Sequence, residues 1–374
     1  MKHQLSLIIL SFIILSQKAY SQDKSDSEVV SKAIDKHGKD FLKNKDITSV
    51  SIGVLKDGEV YTQHFGELEK GKGNIPSNES IYEVGSVTKT MTGYLVAEAV
   101  VARKIKLEDD IRLYLKGDYP NLEYNNKPVT IKHLLTHTSG LPMSLPTELN
   151  GVFESLDENV PKEYYEIEKS YDKEKFLADL KNVSLTVEPG TKYSYSNTGA
   201  ELIGYVLEKV YRKSLDRLLK ESFLDEYEML STAIELNETQ TRKLVRGYWM
   251  SNTTLSPILL NQLWATAGGI KMNLTDMIRY MELQLNTEDP IVSESHKVLY
   301  DNKTLKVAYF WRAWNDKYGP SYNHHGGTTG TQNWLFIFPD HKLGISIITN
   351  QSGPKTPNLL SKTVKKILKD IIKA

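Results

Sequence analysis

The sequence predicts an α/β protein of the α+β sandwich kind: an antiparallel sheet built from both ends of the chain and flanked by helices, with a mostly helical insert. Three observations carry this. Residues 47–55 alternate and are rich in β-branched types, Asp57-Gly58 supplies a tight turn, and Val60 to Phe65 runs back as a hairpin. Asn333 to Phe338 and Leu343 to Thr349 flank Pro339-Asp340-His341, a second hairpin near the other end. Between them, Thr88 to Arg103, Glu201 to Tyr211 and Asp276 to Leu285 read as helices.

The remaining segments follow in chain order. Lys2, the apolar run Leu5 to Leu15 and the small residues Ala19 and Ser21 have the layout of a secretory signal, with cleavage expected after Ser21. The run is short for a membrane span, and no cysteine follows it to carry a lipid. The expected mature protein is exported, to periplasm or medium, and soluble. Leu149 to Asp179 is charged and poor in strand signals, so it reads as an irregular or helical excursion, and Leu305 to Trp311 as a further strand. From Leu360 to Ala374, Leu360, Val364, Ile367, Leu368 and Ile371 recur at helical spacing opposite a row of lysines. An apolar stripe one face wide fits a terminal helix packed on a sheet better than a membrane-binding one. A sheet domain is expected over residues 22–112 and 265–374, and a mostly helical domain over 113–264.

Composition narrows the chemistry. In 374 residues, 47 basic side chains balance 47 acidic ones, and no cysteine is present. A neutral chain offers no electrostatic footprint for nucleic acid. Without cysteine there is no disulfide, thiol nucleophile or thiolate-bound metal. Gly66 and Gly71-Lys72 imitate a phosphate loop, but Gly73 stands where Ser or Thr should bind magnesium, and no helix follows. His133 and His137 are four apart, yet no carboxylate accompanies them in a metal-binding arrangement. No cofactor and no metal is expected, and the expected partner is a small-molecule or peptide substrate.

Three short segments carry oxygen chemistry. Ser86 and Lys89 are three apart, so a helix starting near Ser86 stacks the hydroxyl and the amine on one face. Serine needs a neighbouring base, and the apolar run from Met91 to Ala102 would bury the lysine enough to lower its pKa. Tyr195 and Asn197 follow the Pro189-Gly190 turn; Tyr195 could serve as a base if the Lys89 cation favours its phenolate. His324 to Gly330 lies just before the strand at Asn333. Its glycines allow a substrate backbone to approach, with exposed N–H groups for an oxyanion.

Together, Ser86-x-x-Lys89, Tyr195-x-Asn197 and His325-x-Gly327 resemble the three-motif pattern of the penicillin-binding protein and class C β-lactamase family. Thr130 to Pro142, Glu188-Pro189-Gly190 and Ala267-Gly268-Gly269 extend the likeness, which spans roughly residues 30 to 372. The resemblance implies a β-lactamase/transpeptidase-like sheet of five or more strands, a helical domain, and a cleft between them. It implies Ser86 as the acylated nucleophile, Lys89 as its proton-accepting or field-supplying partner, Tyr195 as a proton shuttle and Asn197 as a substrate contact. His325 and Gly327 would line the opposite wall, and the backbone N–H groups of Ser86 and Thr328 would form the oxyanion hole.

One departure stands out. Where β-lactamases of this family carry Lys-Thr-Gly, this chain has His325-Gly326-Gly327. Losing a charge-assisted contact to the substrate carboxylate costs about 1.5–3 kcal/mol. The resemblance therefore implies hydrolysis of an amide or ester, best fitted by a small or peptidoglycan-derived peptide with a D-residue. A true β-lactamase, an esterase and a non-catalytic penicillin-binding or sensor module are the alternatives.

Overall fold

Alternation in the two terminal hairpins resolves into one eight-stranded antiparallel sheet. Its strands are β1 (Ser49–Lys56), β2 (Glu59–Gly66), β3 (Tyr300–Asp301), β4 (Lys306–Val307), β5 (Arg312–Asp316), β6 (Gly319–Gly327), β7 (Gln332–Phe338) and β8 (Leu343–Thr349). The spatial order is β2-β1-β8-β7-β6-β5-β4-β3, so the pairing of β1 with β8 (Ser51 opposite Ile348) joins the two ends of the chain. The computed structural model describes residues 27–251, 253–258 and 262–373; the expected signal segment lies outside them.

The longer helices are α1 (27–41), α2 (Thr88–Val101), α3 (Asn197–Tyr211), α4 (Leu274–Leu285) and α5 (Thr356–Ile372). One sheet face presents Val50, Ile52, Val54, Leu343, Ile345 and Ile347 to α1 and α5. The terminal helix thus spends its apolar stripe on the sheet and leaves Lys362, Lys365, Lys366 and Lys369 in solvent. Among the described residues no helix is long and apolar enough to cross a membrane. On the other face α4 comes close to the strands, since a Cβ at Gly344 would lie 2.9 Å from the Met281 side chain. Beside it α2 is enclosed: every residue from Thr88 to Ala97 is buried, as its unpatterned apolar run predicts.

Two expectations change. The strand expected over Leu305 to Trp311 is only Lys306–Val307 long. Ala308 to Trp311 leave the sheet and are almost fully buried, with the Phe310 backbone left-handed (φ 64) and its N–H donating to the Leu135 carbonyl at 3.0 Å. An apolar run is equally suited to a strand and to a core loop, and here side-chain burial wins. The helix over 27–41 was not anticipated, although Val30, Ala33, Ile34 and Phe41 are its buried face. The charged excursion resolves into short helices, Leu149–Val152, Val160–Glu168 and Lys173–Leu180. They are held partly by Trp249, whose indole N–H donates to the Asp157 carbonyl at 2.7 Å.

Candidate active site

Ser86 lies in a 3-10 turn, Gly85–Val87, that runs directly into α2. Gly85 has φ 51, and a Cβ there would sit 2.6 Å from the nitrogen and 2.7 Å from the oxygen of Gly327. Only glycine lets the turn meet β6 this closely. Behind the turn, Ile81–Glu83 pairs antiparallel with Lys271–Asn273, which brings the Ala267 carbonyl to the base of α2.

Lys89 is fully buried one turn further on. Its Nζ lies 3.1 Å from Ser86 Oγ and 2.8 Å from Asn197 Oδ1, and it also donates to the Ala267 carbonyl. Burial brings its pKa down to about 7, against the opposing pull of the Glu201 carboxylate. A neutral amine in this place donates to Asn197 and Ala267 and turns its lone pair to the Ser86 hydroxyl. That is the arrangement of a general base. Asn197 reaches Lys89 because it opens α3. Ser196 caps that helix by accepting from the Gly199 N–H at 2.9 Å, while its own hydroxyl donates to the Pro142 carbonyl at 2.7 Å.

Tyr195 donates from Oη to Ser86 Oγ at 2.8 Å. The expected phenolate is not what the environment favours. Burial raises the Tyr195 pKa further from neutrality than the Ser86 hydrogen bond lowers it, and a lysine brought down to about 7 is cationic only in part at neutral pH. At neutral pH Tyr195 holds its proton and can give it to a leaving group. The Thr130 to Pro142 segment supports it: His137 adopts φ 56, its ring packs 4.2 Å from the Tyr195 ring, and its Nδ1 accepts from the Ser196 N–H at 3.1 Å. His133 closes a capping box with Thr130. Both histidines of the apparent metal pair are therefore structural, and no cluster of metal-ligating side chains occurs among the described residues.

The third segment is displaced by one residue from its expected role. The Thr328 N–H donates to the Thr331 carbonyl at 2.9 Å, so it is occupied and unavailable to an oxyanion. Antiparallel alternation then leaves the next pair, Gly327 opposite Gln332, with backbone groups facing away from β7. Those groups face Gly85, the residue before Ser86. The same alternation separates the two histidines. His324 is buried within the fields of Lys89 and Arg312, which together with burial hold it well below the usual histidine range. His325 turns to the other face, where Nε2 shares a short 2.5 Å hydrogen bond with Gln332 Oε1 beside the Trp334 ring. Burial pulls it down to about 4, so neither imidazole replaces a lysine's charge.

Residues that the sequence did not single out complete the cleft. Arg312, at the start of β5, is the one charged side chain among the described residues lining its wider part. Beside Ser86 a smaller polar recess is lined by Glu83, Glu168, Lys271 and Tyr164. Burial and the neighbouring Glu83 raise Glu168 to about 8, while Lys271 pulls it back. No local pattern marks these residues, because they come from separate stretches of chain.

The family model described as Beta-lactamase matches residues 34–367. The chain is 24% identical over 335 residues to "Protein flp" of Staphylococcus aureus (strain MRSA252), covering 85% of this chain and 62% of that relative. It thus spans less than two thirds of that protein's length. It is 23% identical over 386 residues to "Beta-lactamase" of Providencia stuartii, covering 93% of this chain and 92% of the relative. The fold matches that of a β-lactamase/D-alanine carboxypeptidase from Yersinia pestis, with TM-score 0.76, 19% identity, and 92% of this chain and 99% of that one covered. The equivalent enzyme from Pseudomonas syringae gives TM-score 0.75 at 18% identity, with 91% and 98% covered. The sheet, the helices around it and the family match agree: this chain belongs to the Beta-lactamase family, with the fold of its serine hydrolases.

Proposed function

We propose that this chain is an exported serine hydrolase that forms an acyl-enzyme on Ser86 and hydrolyses an amide or ester bond. The observation that carries the reading is a single oxygen, Ser86 Oγ, with Lys89 Nζ at 3.1 Å and Tyr195 Oη at 2.8 Å. Lys89 takes the Ser86 proton as Oγ bonds to the substrate carbonyl carbon. The N–H groups of Ser86 and Gly327 hold the oxyanion that forms. Tyr195 gives its proton to the leaving nitrogen or oxygen and recovers one from Lys89 as that bond breaks. Water then attacks the ester, passes its proton back through the same pair, and releases the acid with Ser86 restored.

The cleft lies between the sheet domain and the helical insert, with boundaries near residues 112 and 265. Arg312 is the group that would hold a carboxylate on the leaving side, which favours small peptides with a terminal D-residue. Hydrolysis of β-lactams is a second reading, supported by the family match, and nitrocefin turnover tests it. For the first, a fluorescent fluorophosphonate should label the mature protein on Ser86, located by peptide mass spectrometry, and should not label Ser86→Ala. Equal labelling of that variant overturns the reading. Export is tested separately: an intact mass beginning at Gln22 is expected, and one beginning at Met1 refutes it.

A further inference from the structure

We infer that the insert side of the cleft is a binding site for an apolar acyl group, so that the preferred substrates are acyl esters or amides with a hydrocarbon or aryl acyl part. The inference rests on the serine hydrolase reading above and specifies its substrate. Met143, Leu149, Phe153, Leu156, Tyr164 and Trp249 line one wall of the cavity that opens onto Ser86. Met143 is 41%, Phe153 36% and Leu156 41% exposed. Large apolar side chains left this open on one wall of a cleft mark a binding surface.

The insert had other options. Its short helices bury Leu149, Val152 and Val160, the last two against Trp249, yet leave Phe153 and Leu156 uncovered. The Phe153 ring is held 5.6 Å from Tyr164 and 6.0 Å from Trp249, which fixes an aromatic floor in advance of any ligand. Leu156 stands with φ 49, a left-handed conformation that a branched residue adopts at a cost. Of the charged residues of this excursion, Glu168 lines the smaller recess beside Ser86. None of its acids lines this wider cavity.

The side of the scissile bond follows from the proton donor. The leaving group must sit beneath Tyr195, where the Arg312 charge is felt. The acyl part then runs toward Asn197 and its neighbours. Met143 accepts from the Asn197 N–H at 2.7 Å, and Ser144 Oγ lies 3.4 Å from Asn197 Nδ2, so the apolar wall begins on the acyl side.

The test is a series of p-nitrophenyl esters from acetate to octanoate, hydrolysed by the full mature chain. We expect kcat/KM to rise about tenfold or more along the series, because each methylene leaves water for the apolar wall. The double variant Phe153→Ser, Leu156→Ser should flatten the series, bringing the octanoate-to-acetate ratio of kcat/KM toward one. Acetate esters of lengthening alcohols should show no comparable rise in the wild type. A flat acyl series in the wild type, a rise retained in the double variant, or a rise confined to the alcohol series overturns the inference. Loss of the serine hydrolase reading looks different: Ser86→Ala would then hydrolyse acetate as fast as the wild type.

Discussion

The two walls of the cleft are built on opposite principles. On the sheet side, backbone meets backbone: the turn carrying Ser86 lies against β6 with no space for side chains at Gly85 or Gly326. On the insert side, short helices present side chains to an open space, and a Cβ at Gly151 would meet nothing within 4 Å. The difference teaches where tolerance lies. Geometry that must hold an oxyanion to a fraction of an ångström is set by the backbone. Geometry that only has to receive an acyl group is left to replaceable side chains.

The largest effect should come from the floor between the walls. Lys89→Met removes the proposed base at nearly constant volume, and turnover of every substrate should fall at least about a thousandfold. Because a buried amine is costly to desolvate, the melting temperature of that variant should equal or exceed the wild-type value. Calorimetry beside a steady-state assay checks both, and a stable variant retaining a tenth of the activity would remove Lys89 from the chemistry.

Next comes the direct contrast between the walls. A Cβ at Gly326 would lie 2.0 Å from the Val84 carbonyl oxygen, so Gly326→Ala must push β6 away from the Ser86 turn. It should cost about a hundredfold in kcat together with a lower melting temperature. Gly151→Ala should change neither. Equal behaviour of the two variants would dissolve the distinction.

Arg312→Gln sharpens the comparison on substrate binding. Loss of a charge-assisted hydrogen bond, about 1.5–3 kcal/mol, should raise KM roughly ten- to hundredfold for substrates whose leaving group bears a carboxylate. Neutral esters should be unaffected, and a uniform loss across both classes would mean that Arg312 acts on the fold instead.

The smallest change is in pH dependence. In the proposed mechanism Lys89 is a base only when neutral, and burial brings it to about 7. The value of kcat/KM should therefore climb as pH rises through about 7 and level off above it. His325, lowered to about 4, is already neutral throughout that window, so His325→Asn should leave the midpoint in place. A midpoint that moves by a full pH unit in that variant would show the histidine titrating within the site.

Much of this was legible before any coordinates. Hydrophobic alternation announced β1, β2, β7 and β8, and the unpatterned run after Lys89 announced a buried α2. The ordered motifs around Ser86, Tyr195 and Asn197 are gathered around one oxygen, as their spacing and resemblance implied. Where sequence pattern and fold differ, the missing information is non-local. Leu305 to Trp311 had strand composition, but a core contact with Leu135 bends it out of the sheet. Glu83, Glu168 and Lys271 meet only because separate elements converge.

The sequence by itself determined which groups could act: an oxygen nucleophile, a lysine one helical turn away, a tyrosine, and glycines where backbones must touch. Tertiary structure decided which of two adjacent residues does each job. A strand's faces alternate at every residue, so the register between β6 and β7 selects His324 over His325 for the Lys89 face. The same register leaves the Gly327 N–H, and not that of Thr328, turned away from β7 toward Gly85, the residue before Ser86. Protonation was likewise decided in three dimensions, because desolvation depends on everything packed around a group. That is why Lys89 suits the role of base proposed for it and Tyr195 keeps its proton.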